Sequence, residues 1–241
     1  MRASKNRSDR GGAHGPTPEN GARLRAINDR VVACTKCPRL VEWRSDVARE
    51  KRAAYAADRY WGRPVPSFGD PDAELLIVGL APGAHGANRT GRPFTGDHAG
   101  ILLYRSLYKF GFSSAEQSLS ADDNLKLTQC RITNAVKCLP PDNKPVGAEV
   151  NNCNTFLAAE LQQLPDDAVV LALGGVAHRA IIKAIGRRQA EFKFAHAALH
   201  DLGEFLLLDS YHCSRYNTNT GRLTSEMFEG VFEQARELLD K

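Results

Sequence analysis

Four of the six cysteines fall into two pairs, Cys34-x2-Cys37 and Cys138-x14-Cys153, and four thiolates in that pattern can close around a metal centre. Sulfur in that number favours zinc or an iron–sulfur cluster over cations that prefer oxygen. Pro38 follows the first pair, a turn-like arrangement that aims two sulfurs at one point. Four unrelated buried thiols are the plain alternative. Disulfides are disfavoured, because the first thirty residues hold no apolar stretch of the signal-peptide kind and a reducing cytosol keeps thiols free. Cys130 and Cys213 stand outside the set.

Between the two pairs lies a loop dense in glycine and proline, Gly79-Leu80-Ala81-Pro82-Gly83-Ala84-His85-Gly86, continuing through Gly91-Arg92-Pro93-Phe94-Thr95-Gly96-Asp97. Glycines at this density let main chain approach a ligand closely, with amides free to hold oxygen atoms. The loop is not a P-loop, since no Gly-Lys-Ser/Thr follows, and it lacks the Gly-x-Gly-x-x-Gly of a dinucleotide fingerprint. Two further segments end in chemically capable residues: Thr133-Asn134-Ala135-Val136-Lys137-Cys138 and Tyr211-His212-Cys213-Ser214-Arg215.

These segments need elements to position them. Four short runs rich in Val, Ile and Leu, at 74–80, 131–136, 168–174 and 204–210, read as buried parallel strands, each followed by a loop. Helical patterns fall at 98–110, 151–163, 176–185 and 227–239, with two more before the sheet, one starting near Arg23 and one from Pro38 through Tyr60. The alternation predicts a three-layer α/β/α domain around a four-stranded, mainly parallel sheet. Ligands of such sheets bind beyond the carboxyl ends of the strands, where Phe94, Asn134 and His212 all fall. The polar, arginine-bearing residues 1–22 read as a basic disordered tail, leaving 23–241 as one domain.

Taken together, the Gly-Leu-Ala-Pro-Gly-x-His-Gly loop, the Gly-Arg-Pro-Phe-Thr-Gly-Asp segment, Thr-Asn-Ala-Val-Lys-Cys, His-x-Ser-x-x-Asn and the cysteine spacing resemble the iron–sulfur uracil-DNA glycosylases of type 5, or type B. The resemblance spans about residues 30–240. It implies a [4Fe-4S] cluster on Cys34, Cys37, Cys138 and Cys153, and excision of uracil and other deaminated bases from DNA. A monomeric, cytoplasmic, nucleoid-associated repair enzyme is expected.

Roles follow from what an extruded base requires, which is a stacking face and partners for its Watson–Crick edge. Phe94 offers the face. The Asn134 carboxamide offers an acceptor for N3–H and a donor for O4. His212 is placed to donate to O2, where charge gathers as the base leaves. Gly79, Ala81, Gly83 and His85 complete the expected base-binding set. The first loop carries no obvious general base, so Asp97 is the carboxylate expected to orient water or stabilise a cationic sugar, although Asp at that place also caps a helix.

Small side chains at Gly83 and Ala84 leave no bulk against a C5 methyl, so hypoxanthine, ethenocytosine and mismatched thymine join uracil as expected substrates. Ser214, Arg215, Arg222 and Leu223 are expected at the DNA, with Leu223 pushing into the stack and the arginines on phosphate. The formal charge of +4 permits nucleic-acid binding without demanding it, and no run reaches the length of a membrane span. No lysine is assigned to a Schiff base, so strand cleavage is not expected. A zinc-stapled nucleic-acid-binding protein without catalysis is the rival reading, and an α/β hydrolase is disfavoured because no Gly-x-Ser-x-Gly elbow is present.

Overall fold

The computed structural model describes residues 17–241, so most of the expected basic tail lies outside the described residues. Helix α1 (Pro18–Val32) begins inside the range expected as tail. Proline at its first turn needs no partner for a missing N–H, and Leu24, Ile27 and Val31 form its buried stripe. Its start is tied down: Thr17 and Asn20 both donate to the Asp72 carboxylate. Helix α2 (Pro38–Glu50) stops ten residues short of Tyr60, because Lys51 turns into a positive φ of 54° and a short helical turn at Ala53–Tyr55 follows. A single turn, α3 (Ala87–Thr90), lies within the glycine-rich loop.

Six strands form one sheet: β1 (Phe68–Gly69), β2 (Leu75–Gly79), β3 (Cys130–Asn134), β4 (Val169–Leu173), β5 (Leu199–Asp201) and β6 (Leu206–Ser210), in the order β1-β3-β2-β4-β6-β5. The four expected strands are there, parallel to one another in the central order β3-β2-β4-β6. Two short antiparallel strands, β1 and β5, flank them. Neither advertises itself as an apolar run, since two or three half-exposed residues give no periodicity to read.

Alternation along the central strands divides the core. Leu75, Ile77 and Leu171 face Leu103, Leu107, Phe228 and Phe232 on helices α4 (His98–Lys109) and α8 (Ser225–Leu239). Leu76, Val78 and Val170 face Leu157 and Ile181 on α5 (Gly147–Leu161) and α6 (Gly175–Ala184). Period-two alternation thus makes three layers. Helices α1 and α2 lie outside that sandwich, joined to it through Phe156 of α5 and through Leu40 packed with Val136, Cys138 and Cys153. Among the described residues no helix is long and apolar enough to cross a membrane.

Two buried polar clusters brace the layers. Lys137 and Glu160, both almost fully buried, pair at 2.8 Å, and Thr133 donates to the same carboxylate at 3.1 Å. Nearer the other edge of the same face of the sheet the Asp209 carboxylate meets His178 Nδ1 at 2.8 Å and His200 Nε2 at 3.2 Å. His178 Nε2 lies 3.0 Å from the Phe192 carbonyl oxygen, so both ring nitrogens face oxygen atoms. His178, His200 and Asp209 bring three metal-capable atoms within 4.8 Å of one another, but those atoms already pair with each other.

Candidate active site and thiolate centre

The strand ends open into a cavity of about 500 Å³, within the range of small-ligand sites. Ala81, Gly83, Phe94 and Asp97 line it from the loop after β2, His212 from the end of β6, and Ser214, Arg215 and Arg222 from its mouth. Parallel strands all release their chains at this edge, which is why residues far apart in sequence meet there. The wall also includes Gly174 and Gly175 after β4, Phe194 and Tyr211, which sequence reasoning did not single out. The Gly174-Gly175 pair directly after a strand was the signal for them.

Phe94 sits at φ +56°, in the left-handed region that a bulky residue avoids. Its neighbours hold it there. A Cβ on Gly100 would fall 1.8 Å from the Phe94 carbonyl oxygen, so only glycine fits that step of α4. Tyr104 donates to the Pro93 carbonyl at 2.9 Å, and buried Arg92 pairs with Asp123 at 2.6 Å. The Phe94 ring is thereby presented to His212, with centroids 5.9 Å apart and planes 27° from parallel.

Asn134, 2% exposed, ends β3 behind the cavity wall and is not itself among the residues that line the cavity. Gly79 makes room for both: a Cβ there would lie 2.4 Å from Asn134 Oδ1 and 2.5 Å from Phe94 Cζ. Asn134 Oδ1 is a buried acceptor with no hydrogen-bond partner among the described residues. An unpaired buried acceptor costs stability, about 1–3 kcal/mol, unless a ligand satisfies it.

Asp97 holds both places expected of it. Oδ1 accepts from the Gly100 amide at 3.2 Å as the cap of α4, while the residue lines the cavity. Oδ2 faces the glycine loop, where a Cβ on Gly83 would come within 3.1 Å and one on Gly86 within 2.5 Å. Burial pushes its carboxyl above the usual carboxylate range, against the amide hydrogen bonds that pull it down. His212 is half-buried in the cavity wall, and desolvation lowers its imidazole to about 4. At neutral pH the ring is uncharged and keeps one N–H to donate.

Two expectations are corrected. His85 does not line the cavity; its Nδ1 meets the Tyr60 hydroxyl at 2.9 Å and its ring lies 6.0 Å from Tyr55, on the outer side of the loop. Leu223 is 1% exposed, locked into the core cluster with Phe228 and Phe232, and cannot enter DNA. The segment after Ser214 is a short helix, α7 (Arg215–Asn219), capped by Ser214. Arg222 stays at the mouth, its guanidinium 4.6 Å from the Tyr211 ring centroid.

Cys34, Cys37, Cys138 and Cys153 line one small cavity between α2, α5 and the segment after β3. Three of the sulfurs accept hydrogen bonds: Cys138 from Arg44 Nη1 at 2.8 Å, Cys37 from Asn152 Nδ2 at 3.4 Å, and Cys153 from the Lys137 amide at 3.5 Å. Burial pushes the Cys138 thiol up to about 12 and raises that of Cys153, so without a bound cation these sulfurs are protonated at neutral pH. Buried Arg44 would then face a neutral partner, which disfavours the empty state. Four cysteine sulfurs on one small cavity are a donor set that fits either zinc or an iron–sulfur cluster. Cys130 and Cys213 are buried elsewhere in the core, as the spacing implied.

A family model described as the uracil DNA glycosylase superfamily matches residues 66–236. A type-5 uracil-DNA glycosylase of Thermus thermophilus is 50% identical over 209 residues, 86% of this chain and 94% of that protein. One of Pyrobaculum aerophilum is 45% identical over 207 residues, 86% of this chain and 89% of the other. A type-4 uracil-DNA glycosylase of Sulfurisphaera tokodaii is more distant, 26% identical over 219 residues, 88% of this chain and 84% of the other.

Proposed function

The chain belongs to the uracil DNA glycosylase superfamily, and from that premise we propose that it hydrolyses the N-glycosidic bond of uracil in DNA, leaving an abasic site. The observation that carries this reading is the orphaned Asn134 Oδ1 beneath the strained Phe94 ring, an acceptor that the N3–H of an everted uracil would satisfy. Phe94 supplies the stacking face. As the C1′–N1 bond breaks, its electrons pass to the uracil ring and gather at O2, where the neutral His212 N–H donates. Asp97 stabilises the cationic sugar and guides water to C1′, taking up the proton that the attack releases. The departing uracil anion is protonated from solvent.

Small residues at Gly83 and Ala84 support a wider range that includes hypoxanthine, ethenocytosine and mismatched thymine. The four cysteines are proposed to hold a [4Fe-4S] cluster that fixes α2 and α5 around the segment leaving Asn134, remote from the chemistry. Such a group supplies Fe–S bonds to four thiolates and no step of the hydrolysis. Arg215, Arg222 and Ser214 are proposed to meet the DNA backbone, and a monomer acting at the nucleoid suffices for this task.

Duplexes carrying uracil or hypoxanthine test the reading. Wild-type protein is expected to leave alkali-labile sites in both without cutting the strand itself, while Asp97→Ala and Asn134→Ala each lower single-turnover rates by about 10²-fold or more. Strict uracil selectivity would sink the wider range, and strand cleavage without alkali would sink the water mechanism. Purified protein should be brown, with broad absorbance in the visible blue; a colourless protein with one tightly bound zinc would overturn the cluster.

A further inference from the structure

We propose that residues 51–63 form a DNA-backbone surface that carries the duplex arm on one side of the everted nucleotide, across the cavity from Arg215 and Arg222. The inference rests on reading the cavity as the seat of an everted base, and it concerns a surface that the excision chemistry leaves unused. The segment reads Lys-Arg-Ala-Ala-Tyr-Ala-Ala-Asp-Arg-Tyr-Trp-Gly-Arg, four cations against one acid in a chain whose formal charge is only +4. That acid is already taken, since Asp58 pairs with Arg89 at 2.6 Å. Arg52, Arg59 and Arg63 are exposed, and none has a carboxylate partner among the described residues. Ala53, Ala54, Ala56 and Ala57, all exposed, leave nothing bulky between these charges and an approaching strand.

The segment is fastened on both sides. The Trp61 amide donates to the Arg89 carbonyl at 2.9 Å and the Gly62 amide to the Asn88 carbonyl at 3.0 Å, which laces it to α3. A Cβ on Gly62 would fall 2.9 Å from that of Ala48 on α2, and one on Gly91 would fall 3.0 Å from the Trp61 ring. Arg89 lies over the Tyr55 ring, 4.3 Å from its centroid, and the Tyr60 hydroxyl meets His85. Burial, then the charges of Arg52 and Arg89, hold the His85 imidazole below its ordinary range, so the field of Arg52 reaches the glycine-rich loop. The turn α3 thus gives Ala87 to the cavity and Arg89 to this surface. On the other border, His212 and Arg215 follow β6, which β4 alone separates from β2. Two strand spacings set those borders about 10 Å apart, with the cavity between them. A duplex that yields one nucleotide to the cavity keeps its phosphates on either side, and both borders then meet negative charge.

Binding of the holoenzyme to a duplex carrying an uncleavable uracil analogue, followed from about 50 to 200 mM salt, tests this. Wild type is compared with the triple variant Arg52→Gln, Arg59→Gln, Arg63→Gln and with the same three positions changed to lysine. Each phosphate contact adds about 0.9 to the slope of log affinity against log salt, so the glutamine variant should lose roughly 2 to 3 units of slope. The lysine variant should keep it, because a point charge suffices to displace a counterion. Affinity near the middle of that range should fall about tenfold or more in the glutamine variant, with the single-turnover rate at saturating protein within about twofold of wild type. Trimming the duplex on one side of the analogue should erase the difference between wild type and the glutamine variant, and trimming the other side should preserve it. An unchanged slope, a rate lost at saturation with the slope intact, or an equal response to trimming either arm would overturn the surface and leave the base-excision reading standing. Wild-type protein that shows the slope difference but excises uracil from no duplex would overturn the excision reading instead.

Discussion

At the scale of single residues, the pocket is organised by what is missing from it. Gly79 lacks the one atom that would separate Phe94 from Asn134, so Gly79→Ala should cut excision by about tenfold or more while the folded state persists, checked by single-turnover rates beside thermal melting. Asp97 gives a pH prediction whose sign follows from burial. Its carboxyl is raised above the usual range and works as the anion, so the acid limb of the rate profile should lie above that of an ordinary carboxylate. That limb should vanish, at a much lower plateau, in Asp97→Asn. Asn134, Asp97 and His212 were legible from the sequence because each closes or follows a strand or opens a helix, and Phe94 because the Gly-Arg-Pro-Phe-Thr-Gly-Asp segment carries it. The outward turn of His85 was not, since a glycine-rich loop sends neighbouring side chains to opposite sides and nothing local says which.

At the scale of elements, the four central strands and the long helices were readable because burial on both faces leaves uninterrupted apolar runs. Helix α7 was not. Its five residues are polar, and its stability comes from the Ser214 cap and threonine hydroxyls on main-chain carbonyls rather than from any periodic stripe. On helix α2, Arg44 turns inward to Cys138, and its carbonyl accepts from Asn88 of the base-pocket loop at 3.2 Å. Arg44→Met should therefore shift the reduction potential of the thiolate centre to more negative values, because a charge-assisted donor to sulfur favours the electron-rich state. Spectroelectrochemical titration of the holoenzyme measures it; an unchanged potential would mean the contact is packing alone. Arg44→Lys should fall between the two.

At the scale of the whole molecule, His212 makes stability depend on acidity. Its folded pKa of about 4 lies below the ordinary 6.5, so between those values the unfolded chain takes a proton that the native chain refuses. Stability is fully present above 6.5 and declines as pH falls towards 4, by about 3 kcal/mol at most. Urea midpoints between pH 7 and pH 5 should fall more steeply for wild type than for His212→Gln, and equal slopes would contradict the assignment. The two cysteine pairs give the fold an order in time as well. Cys34 and Cys37 emerge from the ribosome more than a hundred residues ahead of Cys153, so the first two helices must wait, exposed, until β3 and α5 have been made. With the [4Fe-4S] cluster proposed above, a cell short of iron or sulfide would accumulate chains with an unfastened leading end. Its capacity for this repair would track its mineral supply before any change in the number of chains synthesised.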